Sequence, residues 1–142
     1  MSRSFRTQIE VRGYELDSFG HVNHATYVSY LEHARWHVLR DAGINLQTFQ
    51  EWKRWPVIVR IEVDYLRPTY LGDFLEVETR VAAHKKTSFV FSQQILKAGT
   101  PVLQARVQAV LINEKGKPSA LPSQLAQLWS TGTTDSGEGV AP

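Results

Sequence analysis

The chain has 142 residues, 42% hydrophobic and 21% charged, including four Trp, five Tyr and six Phe, which is the size and apolar content of one domain with a real core and excludes wholesale disorder. Lys and Arg number 16 against 14 Asp and Glu, a net charge of +2, far from the dense basic stripe of a nucleic-acid binder and better matched to an anionic small molecule. The absence of cysteine removes disulfides, thiolate metal sites and a cysteine nucleophile, so any chemistry falls to oxygen and nitrogen side chains.

Phe5, Thr7, Ile9 and Val11 alternate with Arg6, Gln8, Glu10 and Arg12, which predicts a strand with one wet face, closed by Gly13. From His24 to Ala42 the period changes. Tyr27, Val28, Leu31, Ala34, Val38, Leu39 and Ala42 fall on one side of a helix, and Ser29, His33, His37 and Arg40 on another. Asn23 suits the N-cap and Gly43 the position past the end, so this reads as one long amphipathic helix. Residues 44–56, with Trp52, Trp55 and Pro56, read as a connection with another helical turn.

Beyond Pro56 the chain reads as strands almost to its end. Val57, Val59, Ile61, Val63 and Tyr65 alternate with Arg60, Glu62 and Asp64; Leu75, Val77, Thr79 and Val81 alternate with Glu76, Glu78 and Arg80. Two further strands are expected over 87–97 and 102–113, with turns at Pro68, Gly72, Gly99–Pro101 and Glu114–Gly116. Short connections favour antiparallel neighbours. The predicted class is α+β, with a five-stranded antiparallel sheet burying the stripe of one long helix. Residues 1–129 form the domain, and the glycine-rich, aromatic-free stretch 130–142 is expected to be a flexible tail. The first residues lack the apolar run of a secretory signal and no stretch has the length of a membrane span, so a cytoplasmic address is the default expectation.

Four of the five histidines crowd into positions 21, 24, 33 and 37. His24 and His33 project to opposite sides of the helix, so the group does not converge on one ion and no metal is expected. Glu32 and Arg35 are spaced for an intrahelical pair, with Arg35 snorkelling out of the apolar stripe. Trp36, Trp52 and Trp55 read as core or interface aromatics.

The chemistry-bearing segment is Y-E-L-D-S-F-G-H-V-N-H-A-T-Y, between the first strand and the helix. Asp17 precedes a glycine loop that delivers the chain into a helix start, where the first amides lack intrahelical partners. An acyl carbonyl placed there takes hydrogen bonds from the backbone near His24 while Asp17 attacks the carbon or activates a water, an oxyanion-hole arrangement. Gly20 suits a close approach of backbone to ligand. His21 either orders the loop by a hydrogen bond or takes part in proton transfer. The bland alternative for Asp17 is an Asx turn or a charge that favours the helix dipole.

With D-S-F-G-H-V-N-H-A-T-Y, then Y-L-E-H-A-R, then V-D-Y-L-R-P-T-Y-L-G-D-F-L-E-V-E-T-R-V, residues 5–128 resemble the hotdog-fold acyl-CoA thioesterases of the 4-hydroxybenzoyl-CoA thioesterase type, including the bacterial branch acting on fatty acyl-CoA. The resemblance implies a hotdog fold and hydrolysis of acyl-CoA to free acid and CoA without a cofactor. It implies Asp17 as nucleophile or general base and the backbone amide of His24 as the group that polarises the thioester carbonyl. It also implies homodimers or dimer-of-dimers tetramers with active sites at the dimer interface. The strand from Val57 to Tyr65 then walls the acyl pocket, with Val57 and Val59 among the lining residues beside Phe89 and Phe91. Lys85 and Lys86, in a loop between strands, are the candidates for the coenzyme A phosphates; an acyl carrier protein thioester presents the same arm and remains an alternative substrate. Two rival functions remain at this point: a hotdog hydratase or dehydratase of enoyl thioesters using Asp17 and His21, and a non-catalytic acyl-binding scaffold. No G-x-S-x-G occurs, which argues against an α/β-hydrolase route.

Overall fold

The computed structural model describes residues 4–130. Strand β1 (Ser4–Glu10) leads through a single 3-10 turn (Gly13–Glu15) into α1 (His24–Asp41) and a short α2 (Leu46–Trp52). Strands β2 (Arg54–Tyr65), β3 (Phe74–His84), β4 (Ser88–Lys97) and β5 (Thr100–Asn113) follow, and α3 (Ser123–Ser130) closes the described chain. The five strands form one sheet in the order β1-β3-β4-β5-β2, antiparallel at every step. The sheet wraps the long helix, and the expected hotdog architecture is the one observed.

Helix α1 starts where expected. The Asn23 side chain accepts from Ala25 N, and the helix ends at Asp41 with Gly43 just beyond at φ +79°. Its inward face buries Tyr27, Leu31 and Ala34 against Val77, Ile95 and Leu103. Leu39 joins a second cluster with Phe89, Phe91 and Leu111. Each such aliphatic or aromatic side chain taken from water contributes roughly 1.5–3 kcal/mol. Tyr30 is buried too, although the apolar arc omits it, because its phenol reaches a carboxylate described below.

Three expectations need correction. The connection after α1 holds a two-turn helix, and β2 begins at Arg54, so Trp55 and Pro56 belong to the strand; proline is tolerated there because β2 is an edge strand. A terminal helix, α3, was not expected; it seats Leu125 and Leu128 in the second cluster, and eight residues after Pro122 are too few for a periodicity to stand out. In β2 the pairing with β5 skips from Ile58–Ala109 to Arg60–Gln108, which leaves Val59 as an unpaired bulge residue. A bulge shifts the alternation by one. Ile61, Val63 and Tyr65 therefore share the helix-side face with Pro56 and Ile58, while Val57 pairs with Val110 and shares the outer face, not that of Ile61. The expected tail begins on Ser130, the last residue of α3, and residues 131–142 lie outside the described residues. No helix among the described residues is long and apolar enough to cross a membrane.

Candidate active site

Residues 16–22 form a tight hairpin. Leu16 and Val22 bridge, Asp17 N donates to His21 O at 2.7 Å, and Gly20 N donates to Asp17 O at 3.1 Å. Gly20 sits at φ +83° with open space where a Cβ would be. The turn conformation thus explains the glycine, and crowding does not. Asp17 Oδ1 accepts from Phe19 N at 2.9 Å and from His21 N at 3.1 Å. That is the Asx turn of the bland reading, yet it engages one carboxylate oxygen only, and among the described residues nothing donates to Oδ2. The carboxylate is half-buried at the end of the loop.

The hairpin is anchored from beneath. Val22 N donates to Thr69 O at 3.0 Å and Asn23 N to Glu15 O at 2.9 Å, while the Tyr27 hydroxyl and Thr69 Oγ1 lie 2.7 Å apart. Glu15 is buried and accepts from Arg12 N, Arg12 Nη2 and the Tyr30 hydroxyl at 2.9, 2.7 and 2.6 Å. Burial works against the Glu15 charge, but the bonds from Arg12 and Tyr30 outweigh it and hold the carboxyl below its ordinary range. Burial likewise pushes the Tyr30 phenol well up, as does its carboxylate partner. The His21 ring packs edge-on against Tyr70, with centroids 5.2 Å apart, and Asp73 ties down that segment by accepting from Tyr70 N and Lys97 Nζ, both at 2.9 Å.

At the helix start the amides are unequally used. Ala25 N bonds to the Asn23 side chain and Thr26 N to the Asn23 carbonyl. The His24 N–H has no acceptor among the described residues. Its carbonyl receives the Tyr65 hydroxyl at 2.9 Å, and the Tyr65 ring lies against those of His24 and Tyr27. An uncommitted backbone donor at the positive end of an 18-residue helix, following a loop that presents an uncommitted carboxylate oxygen, is a pairing suited to acyl transfer. Glu15, Tyr30, Thr69 and Tyr65 were not anticipated; each supports the site through a partner distant in sequence, which leaves no local signature.

The remaining candidates lie elsewhere. Val57 and Val59 are exposed on β2. Lys85 and Lys86 occupy the β3–β4 turn, at the end of β3 opposite Phe74 and the loop it adjoins. Ten residues of strand separate the two ends, about 33 Å, so these lysines do not reach Asp17 of their own chain. The His33 and His37 rings meet edge to face with centroids 4.5 Å apart, and Arg40 Nη2 lies 2.8 Å from His37 Nδ1. Burial, Arg40 and His33 push the His37 pKa down. Arg35 neither snorkels nor pairs with Glu32 in an ion pair. It is 7% exposed and donates inward to Gln93 Oε1 at 3.0 Å. Beside it a cavity of about 110 Å³ opens between α1 and β2, lined by Trp36, Leu39, Pro56, Ile58, Phe89 and Phe91 among others.

The sequence profile of the thioesterase-like superfamily matches residues 11–128. The chain belongs to this superfamily. It is thereby an enzyme of the thioester-hydrolase class, built on the hotdog fold. Its relatives include the long-chain acyl-CoA thioesterase FadM of Escherichia coli K12, 35% identical over 86% of this chain and 94% of that one. The acyl-CoA thioester hydrolase YbgC of E. coli O6:H1 is 34% identical over 85% and 92%. Among solved structures, a probable thioesterase from Bartonella henselae superposes with a TM-score of 0.80 at 31% identity, covering 84% of this chain and all of that one. The superfamily match spans both the Asp17 loop and the whole of β2 to β5.

Proposed function

We propose that this protein hydrolyses acyl-CoA thioesters to free acid and CoA, with Asp17 and the His24 amide as its catalytic groups. The observation that carries the reading is the pairing of an Asp17 oxygen left free by its turn with a helix-start N–H left free by its cap. As general base, Asp17 Oδ2 takes a proton from water while the water oxygen attacks the thioester carbon. The carbonyl electrons pass to the oxygen, where the His24 N–H meets the growing charge, and collapse breaks the C–S bond and releases thiolate. As nucleophile, Asp17 instead forms an acyl anhydride that water then cleaves. Thiolate is a good leaving group, so neither route calls for an acid on sulfur or for a metal.

The active form proposed is a homodimer, or a tetramer built from it, joined through β2. That strand is a free edge carrying Val57, Ile58, Val59, Ile61 and Tyr65, all 39–54% exposed, a combination that soluble proteins normally cover. Antiparallel pairing of two β2 edges inverts the second copy. Its Lys85 and Lys86 then lie toward the end of the dimer that carries Asp17 of the first, and they are the residues proposed to meet the coenzyme A phosphates. His21, packed on Tyr70, and Gly20 shape the loop under this reading.

The test is thiol release from a panel of acyl-CoA and acyl carrier protein thioesters. Asp17→Asn keeps an oxygen for Phe19 N and His21 N, so folding is expected to survive while kcat falls by about 10²-fold or more. Unaltered turnover overturns the assignment. Incorporation of solvent ¹⁸O into the Asp17 carboxylate in a single turnover separates nucleophile from base.

A further inference from the structure

Arg35 is 7% exposed, yet among the described residues only one of its donors is used, that to Gln93. Gln93 is itself 2% exposed, and its amide nitrogen is committed to Leu31 O at 3.0 Å and Thr79 Oγ1 at 2.9 Å, which fixes its oxygen toward Arg35. The Phe91 ring lies 6.0 Å from the guanidinium carbon. No carboxylate of the described residues pairs with Arg35; Glu32, exposed on the rim, acts on it only through its field. A guanidinium carries five N–H donors in a planar fork, so most of this fork lacks an acceptor among the described residues, and Arg35 lines the 110 Å³ cavity. A buried cation without an anion or a full set of acceptors is costly, and structures keep such groups where something completes them.

We infer that the cavity between α1 and β2 receives the far end of the acyl group and that Arg35 binds an anionic oxygen there, which makes acyl thioesters bearing a distal carboxylate the preferred substrates. The inference rests on the thioesterase reading and on the proposed β2 pairing, with the cavity at the β2 edge. Its chemistry comes from the two kinds of wall. Trp36, Leu39, Pro56, Ile58, Phe89 and Phe91 suit methylene or ring carbons, and the open fork suits the two oxygens of a carboxylate, which an arginine matches in geometry and charge. The small volume admits the end of an acyl group and not its whole length.

The experiment compares matched thioesters, hexanoyl-CoA with adipoyl-CoA and octanoyl-CoA with suberoyl-CoA, on wild type and Arg35→Met. In parallel, calorimetry measures binding of free adipate, suberate, hexanoate and octanoate to both proteins, which needs no catalysis. Wild type is expected to favour one of the carboxylate-bearing thioesters by about tenfold or more in kcat/KM. Arg35→Met is expected to lose that preference, so that the ratio of kcat/KM within each matched pair falls by about tenfold toward one. Adipate or suberate is expected to bind wild type and not the variant. If wild type favours the unsubstituted acyl groups and binds neither dicarboxylate, the inference is overturned, whether or not the variant folds. If Arg35→Met slows both members of each pair equally, Arg35 is a scaffold residue and the inference is again overturned. If no thioester is cleaved but a dicarboxylate binds in an Arg35-dependent way, the thioesterase reading fails and the Arg35 site stands.

Discussion

The Tyr30 hydroxyl of α1 donates a 2.6 Å hydrogen bond to Oε1 of Glu15, two residues before Asp17. The same carboxylate takes two bonds from Arg12, and the Glu15 carbonyl holds Asn23 N at the helix cap. Glu15 therefore ties the segment after β1 and the body of α1 together through its carboxylate, and the helix cap through its carbonyl. Tyr30→Phe removes one donor and leaves the charge in place. A loss of about 1.5–3 kcal/mol is expected, read as a lower urea midpoint at unchanged slope.

Acid should destabilise the protein in two stages. Burial, Arg40 and His33 hold His37 below its ordinary value. The unfolded chain therefore binds the proton first, and a shallow loss is expected as pH falls below about 6.5. Glu15, Glu78 and Asp73 sit below the ordinary carboxylate range; burial opposes this, but hydrogen bonds and nearby cations prevail. Their contribution is present above about pH 4.5 and disappears as pH drops through the depressed folded values. Urea midpoints measured from pH 7 to 3.5 should show both, and Glu78→Gln should reduce the lower step.

Gly20→Ala separates conformation from contact. Nothing lies within 4 Å of an added Cβ, so the cost is that of an L residue at φ +83°, about 1–2 kcal/mol. Because Gly20 N bonds to Asp17 O, kcat should fall as well. Chemical denaturation and thiol-release kinetics on the same variant check the two effects.

The β2 edge predicts its own variant. Val59→Lys places a charge on the bulge residue, which is 54% exposed and has no partner in the β5 register. Sedimentation should show wild type as a dimer or tetramer and the variant shifted toward monomer. Loss of activity should accompany the shift, since the proposed site is shared between copies.

Much of this was legible beforehand, and for local reasons. Strand alternation in Leu103, Ala105, Val107, Ala109 and Leu111 requires only that successive residues face opposite ways, and all five are buried. Asn23 and Gly43 act on amides and carbonyls of their own turn, so the helix ends could be read directly. The Asp17 loop was visible because its parts span eight residues, Asp17 to His24. What escaped notice was α3, too short to show a period, and the support beneath the loop, where Thr69 and Tyr65 reach Tyr27 and His24 from 42 and 41 residues away.

Residue order was enough to settle the class of fold, the position of the long helix and the loop that holds the candidate carboxylate, because each depends on near neighbours and on the period of burial. Three-dimensional packing alone decided which faces and ends meet. A single bulge at Val59 puts Pro56 and Ile58 beside the cavity and leaves Val57 facing outward. The antiparallel order sends Lys85 and Lys86 to the far end of the sheet. Arg35 turns inward to a glutamine 58 residues away, where its local spacing pointed to Glu32. In each case the outcome depended on a pairing between distant segments, and such pairings come into being only when the sheet closes around the helix.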